Sequence, residues 1–120
     1  MRGLHLTADL YQCRCDAHWL TEPQQLGRWS RQAAEAIGLP VERELSCPGA
    51  EGGASTALLL PGSHVLLHTW PKERGVMVDV CLSDAQEDLP AKARGLMQAL
   101  VQRFQPQWTE QRSLDRGGGE

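Results

Sequence analysis

The amino-acid sequence predicts an α+β fold: a two-layer sandwich in which an antiparallel sheet carries two helices on one face. Two observations lead to this class. Several short segments alternate apolar with polar residues or are continuously apolar, and two longer segments repeat apolar residues at helical spacing. Neighbouring strand segments are mostly linked by short turns, which connect antiparallel strands. The 120 residues are expected to form one domain, residues 1–114, with a flexible tail at 115–120.

The first two predicted elements are a strand and a helix. Residues 4–11, LHLTADLY, alternate between apolar and polar side chains, a pattern typical of a half-buried strand. Residues 21–38 repeat apolar side chains at helical spacing and carry signals at both ends. Thr21 is expected to cap this helix, Pro23 suits its first turn, and Gly38 suits its end.

The middle of the chain predicts four strands and one irregular turn. Residues 41–47, VERELSC, alternate as a strand does, whereas the glycine-rich segment 47–54, CPGAEGGA, predicts a turn without regular structure. Residues 55–61 and 64–70 are apolar strands joined by a Pro-Gly turn. Residues 75–83, GVMVDVCLS, follow a tight turn and form the next strand. Links this short predict that successive strands pair antiparallel.

The last part of the chain predicts a second helix and an edge strand. Residues 88–104 repeat apolar side chains at helical spacing. Residues 106–114 are expected at the edge of the sheet, because Pro106 has no amide hydrogen for a strand ladder. A small sheet with apolar residues on both faces often buries its second face against another chain. We therefore expect a homodimer.

Composition argues against several classes of function. The net charge is −3 without a basic run, which argues against a nucleic-acid partner. No apolar stretch approaches the roughly 20 residues of a membrane-spanning helix, and the start of the chain lacks the apolar core of a signal peptide. A cytoplasmic location is therefore expected, where the four cysteines would be reduced thiols. No metal site is expected, because Cys13 and Cys15 lack the second cysteine pair of a zinc site.

The segment 61–71, PGSHVLLHTWP, carries the strongest indication of chemistry. It places Ser63 directly after a Pro-Gly turn, and the alternation of the following strand puts His64 and His68 on one face. Four sequence motifs together resemble the short bacterial S-adenosylmethionine decarboxylases, pyruvoyl enzymes of spermidine and polyamine biosynthesis. They are GLHLTADLYQC, GGAS, SHVLLHTWP and VDV, and the resemblance runs from about Gly3 to the last strand. It implies an S-adenosylmethionine decarboxylase-like fold.

The resemblance also implies a cofactor made from the chain itself by cleavage between Gly62 and Ser63. In the family, the serine hydroxyl attacks the preceding carbonyl, the chain splits, and the serine becomes a pyruvoyl group that binds the substrate amine as a Schiff base and withdraws electrons during decarboxylation. His68 matches the family's base for self-processing, and its strand is expected to bring it back towards Ser63. Ser55 matches a serine that assists maturation by hydrogen bonding. His64 is interpreted as structural.

Three departures from the family pattern affect these expectations. Gly62 stands where the family usually has glutamate. Ser83 stands where the family has the cysteine that protonates the substrate, and a serine hydroxyl is a far weaker acid than a thiol with a pKa of about 8.5. Cys81 lies two residues earlier on the same strand face, about 6.6 Å away, so it could substitute if the sheet edge shifts. The turn at 47–54 lacks the aromatic residue that stacks on adenine.

Three functions are therefore compatible with the sequence. The first is pyruvoyl-dependent decarboxylation of S-adenosylmethionine. The second is pyruvoyl-dependent decarboxylation of ornithine or arginine, for which an acidic residue would bind the distal amine or guanidinium. Asp9, Glu51 and Asp79 are the candidates, although Asp79 is equally interpreted as a structural anchor. The third is an unprocessed, non-catalytic paralogue that folds and dimerises.

Overall fold

The structure, a computed structural model, describes residues 1–83 and 88–118. Within those residues, six strands form one antiparallel sheet in the order β2-β3-β4-β5-β1-β6, and the helices cover one of its faces. The elements are β1 (Arg2–Tyr11), α1 (His18–Thr21), α2 (Pro23–Ala36), β2 (Arg43–Pro48), β3 (Ala54–Leu60), β4 (Ser63–Trp70), β5 (Gly75–Ser83), α3 (Leu89–Phe104) and β6 (Trp108–Gly117). The predicted α+β architecture is confirmed.

The core lies between the sheet and the helices. Alternating residues of the strands turn towards this layer, where side chains such as Val65 and Val78 are completely buried. Helix α3 contributes Leu96, Leu100 and Phe104 from one stripe, as its helical spacing predicts. Both long helices therefore pack on the same side of the sheet. Among the described residues, no helix combines the length and apolar character needed to cross a membrane.

The opposite side of the sheet, here called the open face, has none of the described helices against it. It carries the odd-numbered residues of β1, β2, β3 and β5 and the even-numbered residues of β4 and β6. Five large apolar residues of this face are between 42% and 58% exposed. They are Leu45, Leu59, Met77, Trp108 and Leu114. The open face is therefore mixed, with these exposed apolar side chains set among polar and charged residues such as His68, Asp79 and Arg112.

The predicted helix at 21–38 is divided in two. Thr21 is not a helix cap but the last residue of α1, where its hydroxyl donates to the carbonyl oxygen of Ala17 at 3.3 Å. Glu22 is extended, with φ −107° and ψ 97°, and α2 begins at Pro23. The physical reason is that a proline ring disfavours helical backbone in the residue before it.

The predicted flexible tail at 115–120 is wrong in its first three residues. Asp115, Arg116 and Gly117 continue β6 and pair with β1. The amide of Gly118 also donates to the carbonyl oxygen of Met1 at 2.6 Å. Composition suggested a frayed end, but the ten-residue partner strand β1 supplies backbone partners along this whole stretch. Residues 119 and 120 lie outside the described residues.

Candidate active site

The turn between β3 and β4 requires a glycine at position 62. Gly62 has a φ of +64°, in the left-handed region that side chains disfavour. A β-carbon added there would lie 2.9 Å from the hydroxyl oxygen of Ser83, a distance that forces one of the two to move. Gly62, which replaces the family's glutamate, therefore fits both the left-handed backbone conformation of the turn and the close approach of the Ser83 hydroxyl.

Ser83, the last residue of β5, holds both sides of the Gly62–Ser63 peptide bond. Its backbone amide donates to Ser63 Oγ at 2.9 Å, and Ser63 Oγ in turn donates to the Ser83 carbonyl oxygen at 3.5 Å. The Ser83 hydroxyl donates a short hydrogen bond to the carbonyl oxygen of Gly62. One residue thus orients a hydroxyl and polarises the carbonyl group next to it.

Ser55 and His68 form a second polar pair on the open face. They lie directly opposite each other on β3 and β4, and Ser55 Oγ is 2.8 Å from His68 Nδ1. The ring of Trp70 lies 6.2 Å from that of His68. The hydrogen bond fixes the orientation of the imidazole and leaves its Nε2 atom turned away from Ser55, where it could accept a proton.

The two pairs lie at different ends of β4. Ser63 begins the strand and pairs with Leu60, whereas His68 pairs with Ser55 and Met77. Five residues of strand separate Ser63 from His68, or about 16 Å. The expectation that His68 returns towards Ser63 is therefore wrong within one chain, because an extended strand carries its residues steadily apart. The chain contains two half-sites.

A small cavity lies beside the Gly62–Ser63 bond. Its volume is about 250 Å³, and its lining includes Gly62, His64, Cys81 and Ser83. Cys81 is half-buried, and the strand register places it directly between His64 on β4 and His5 on β1. Cys81 and Ser83, the two candidate proton donors, therefore both line this cavity. Cys81 reaches it without the shift of the sheet edge that the sequence analysis required.

The three acidic candidates have different surroundings. Asp79 is half-buried on the open face, with its carboxylate oxygen 3.8 Å from His5 Nε2. Asp9 lies 3.5 Å from the guanidinium of Arg112. Glu51 is exposed in the turn before β3. Of these three carboxylates, Asp79 lies nearest to the cavity along the strands, because it is two residues from Cys81.

The two cysteines of the Cys-x-Cys pair are buried structural thiols. Burial raises the pKa of Cys13 to about 11, with a smaller contribution from Cys15, and burial also raises the pKa of Cys15. The Arg74 guanidinium donates to the carbonyl oxygens of both residues and holds the segment between β1 and α1. These thiols are therefore poor nucleophiles, in contrast to the half-buried Cys81.

Sequence reasoning missed two histidines. The sequence motifs assign no role to His5 and indicate a structural one for His64, although His64 lines the cavity. Their rings lie 6.4 Å apart on either side of Cys81. Alternation alone shows only which residues of the same strand share a face with each histidine. Their proximity required the strand order β4-β5-β1, which the sequence does not give.

The family model for S-adenosylmethionine decarboxylase matches residues 4–117. The match covers nearly the whole chain and both half-sites. This chain belongs to the S-adenosylmethionine decarboxylase family. The resemblance carried by the four sequence motifs is therefore confirmed, and the general class of the family is decarboxylase.

Individual relatives agree with this assignment. An S-adenosylmethionine decarboxylase proenzyme of Aeropyrum pernix is 35% identical over 78 residues, which are 65% of this chain and 58% of that protein. The corresponding proenzyme of a Hydrogenobaculum species is 27% identical over 115 residues, covering 96% of this chain and 81% of the relative. An arginine decarboxylase proenzyme of Ignicoccus hospitalis is 30% identical over 107 residues, covering 88% and 70%.

A solved structure shares the fold. The crystal structure of adenosylmethionine decarboxylase from Aquifex aeolicus superimposes with a TM-score of 0.85 and is 26% identical in sequence. The alignment covers 98% of this chain and 92% of the other. The S-adenosylmethionine decarboxylase-like fold is therefore confirmed.

Proposed function

We infer that this chain is a proenzyme that cleaves itself between Gly62 and Ser63 and then decarboxylates S-adenosylmethionine, as a step of polyamine biosynthesis. One observation carries this proposal. Ser83 binds Ser63 Oγ through its backbone and donates its hydroxyl to the Gly62 carbonyl oxygen. A hydroxyl nucleophile and a polarised carbonyl are thus held on adjacent residues.

Self-cleavage would proceed by an acyl shift followed by an elimination. Ser63 Oγ bonds to the Gly62 carbonyl carbon, and the carbon–nitrogen bond breaks, which leaves an ester and a free amine. Loss of a proton from Ser63 Cα then breaks the ester bond and releases the carboxylate of Gly62. Water replaces the nitrogen of the resulting dehydroalanine, ammonia leaves, and a pyruvoyl group remains. The Ser83 hydroxyl stabilises the negative charge on the Gly62 oxygen during the attack.

The second half-site supplies the base, and we assign it to a second copy of the chain. His68 is about 16 Å from Ser63 along β4, too far for proton transfer within one chain. When Nδ1 of His68 carries the hydrogen and donates to Ser55, Nε2 is free to accept a proton. A twofold dimer through the open faces would bring each Ser55–His68 pair to the partner's Gly62–Ser63 bond and bury the exposed apolar residues.

The pyruvoyl group would supply the electron sink for decarboxylation of an amino acid. The residues around it fit this use. The Gly62–Ser63 bond borders the cavity of about 250 Å³, and His64, Cys81 and Ser83 line it. The chain itself would bind the substrate there, exclude water and provide a proton.

Arginine is the second candidate substrate, with ornithine as a smaller analogue. One relative of similar extent is an arginine decarboxylase proenzyme. The open face also carries carboxylates, Asp9 and Asp79, that could bind a guanidinium or an amine. The turn at 47–54 has no aromatic residue for an adenine, which fits this alternative as well.

The denatured mass of the purified protein tests self-cleavage. We expect two fragments, residues 1–62 and residues 63–120, with the second blocked at its start by the pyruvoyl group. The Ser63→Ala chain lacks the nucleophile and should remain at the full mass. A wild-type chain that stays at 13.3 kDa on long incubation would overturn the proposal and favour the non-catalytic paralogue.

The cleaved protein then decides between substrates. Release of labelled carbon dioxide is measured with S-adenosylmethionine, arginine and ornithine, and with Ser63→Ala as the control. We expect S-adenosylmethionine to have the highest kcat/KM. A higher kcat/KM for arginine or ornithine would support the pyruvoyl chemistry but would show that S-adenosylmethionine is not the preferred substrate.

A further inference from the structure

Cys81 occupies a distinct position on the open face. It is half-buried in β5, and it borders the same cavity as Gly62 and Ser83. Register places it opposite His5 on one side and His64 on the other. Side chains opposite each other on neighbouring strands have β-carbons about 5 Å apart. Cys81 therefore has a histidine on the neighbouring strand at each side, at the edge of the cavity.

The surroundings of these histidines favour proton exchange with the thiol. Their rings lie 6.4 Å apart at an interplanar angle of 68°, one on each side of the Cys81 strand. His5 Nε2 is buried without a hydrogen-bond partner among the described residues, and the Asp79 carboxylate lies 3.8 Å from it. An imidazole beside a carboxylate can take up a proton and pass it on.

Ser83 is less suited to acid chemistry than Cys81. Its hydroxyl already donates to the Gly62 carbonyl oxygen, and its backbone is bonded to Ser63 Oγ. A thiol gives up its proton far more readily than an aliphatic hydroxyl. The serine at position 83 is therefore engaged with the peptide bond that is to be cleaved. Within the described part of the chain, no hydrogen bond joins the Cys81 thiol to that peptide bond.

We propose that Cys81 is the catalytic acid that protonates the substrate carbon from which carbon dioxide has left. This inference rests on the proposed function and assigns a residue to one of its steps. The electron pair left by the departing carbon dioxide forms the new carbon–hydrogen bond. The S–H bond of Cys81 breaks, and its electron pair stays on sulfur as a thiolate. The thiolate regains a proton from solvent through His5 or His64.

Alkylation tests whether the substrate reaches the thiol. Self-cleavage leaves Cys81 as the one cysteine of the fragment 63–120, so the mass of that fragment reports its alkylation directly. Iodoacetamide is applied to the processed protein with and without S-adenosylmethionine. We expect the substrate to slow alkylation of this fragment at least fivefold. Equal rates would place Cys81 out of reach of the substrate and overturn the proposal.

Kinetics separate a catalytic role from a structural one. Loss of a general acid costs about 100-fold or more in rate, so Cys81→Ser should lower kcat by about that factor and leave KM within twofold. It should still cleave itself, because Ser83 rather than Cys81 contacts the Gly62 carbonyl. Gly95→Ala, a substitution in α3 on the helix-covered side of the sheet, should keep wild-type kcat.

The outcomes distinguish this inference from the proposed function. If the wild-type chain is processed and active but Cys81→Ser keeps its kcat, the inference is wrong and the proposed function stands. If the wild-type chain never cleaves, the proposed function fails and the assignment of Cys81 fails with it. A processed Cys81→Ser protein that is inactive, together with substrate protection of Cys81, supports both.

Discussion

Ser83 can donate a hydrogen bond in the candidate site but cannot replace the acidic cysteine that the family has at this position. Its hydroxyl reaches the Gly62 carbonyl oxygen, so the position still provides a hydrogen-bond donor. It cannot provide an acid comparable to a thiol, which has an ordinary pKa of about 8.5. The two proposals therefore assign different steps to the two residues. Ser83 assists cleavage of the chain, and Cys81 in the same cavity protonates the substrate.

Gly62→Ala should destabilise the chain and slow its cleavage. The substitution places a β-carbon 2.9 Å from Ser83 Oγ at a φ of +64°, which costs about 1–2 kcal/mol. It also displaces the hydroxyl that polarises the Gly62 carbonyl. Urea unfolding, measured in the uncleaved Ser63→Ala background, checks the stability. The fraction of cleaved chain over time checks the processing.

Gly95→Ala is the matched control for that substitution. Gly95 lies in α3, where an added β-carbon meets no atom within 4 Å. Alanine in a helix interior is about 1 kcal/mol more favourable than glycine, so this variant should be more stable and cleave normally. Equal stability of Gly62→Ala and the wild type would contradict the argument from backbone conformation.

The buried thiol of Cys13 should make stability fall at alkaline pH. Burial raises the pKa of Cys13 from 9.0 to about 11. Between these values the thiol ionises in the unfolded chain but not in the folded one, so stability present below pH 9 is lost as the pH rises to 11. The loss is on the order of 2 kcal/mol.

Urea unfolding at a fixed protein concentration measures this loss from about pH 8 to about pH 11. Cys13→Ala in the same background removes the ionisable group, so its stability should fall less steeply over that range. Parallel curves for the two proteins would show that another group is responsible.

At the scale of elements, Thr69 joins the first helix to the sheet. Its buried hydroxyl donates to the carbonyl oxygen of Leu20 in α1 at 2.6 Å and accepts from the Ala54 amide at 2.8 Å. Thr69→Val keeps the shape and leaves both backbone groups unpaired, which should cost about 2 kcal/mol or more. Thermal unfolding measures the difference.

The control for Thr69→Val is Thr109→Val. Thr109 is half-buried in β6, and its hydroxyl has no hydrogen-bond partner within the ranges that the structure describes. Its substitution should change stability by less than about 0.5 kcal/mol. A similar loss from both variants would attribute the effect to the strand positions rather than to the hydrogen bonds of Thr69.

Alternation and helical spacing predicted the elements well because these signals are local. Strand β5 has the bounds predicted from the sequence, Gly75–Ser83, and α3 begins one residue later than predicted, at Leu89. The predicted helix at 21–38 failed at Glu22, since the effect of Pro23 on the preceding residue outweighed the apolar spacing. The strand at 115–117 was missed because only its partner β1 makes it extended.

At the scale of the whole molecule, the candidate site depends on strand order and register. The sequence motifs identified Ser55, Ser63 and His68, but they did not show that His68 bonds to Ser55 and lies far from Ser63. Likewise, His5 becomes a neighbour of Cys81 only because β1 inserts between β5 and β6. Such contacts join distant parts of the chain, and no local pattern encodes them.

Two inactive variants should restore cleavage when they form a mixed dimer. The Ser63→Ala chain lacks the nucleophile but keeps the Ser55–His68 pair, and the His68→Ala chain has the reverse defect. If each site takes its base from the other copy, the mixed dimer contains one complete site. That site lies on the His68→Ala chain, since about 16 Å of strand prevents His68 from serving its own Ser63.

The measurement uses two affinity tags on co-expressed chains, so that only mixed dimers are recovered. The substitution at position 68 lies in the fragment 63–120, and its mass therefore identifies which chain was cut. We expect fragments from the His68→Ala chain alone, while the Ser63→Ala chain stays whole and each variant by itself remains uncleaved. Recovery of uncut mixed dimers would mean that His68 must act within its own chain, and the twofold arrangement of the two half-sites would then be wrong.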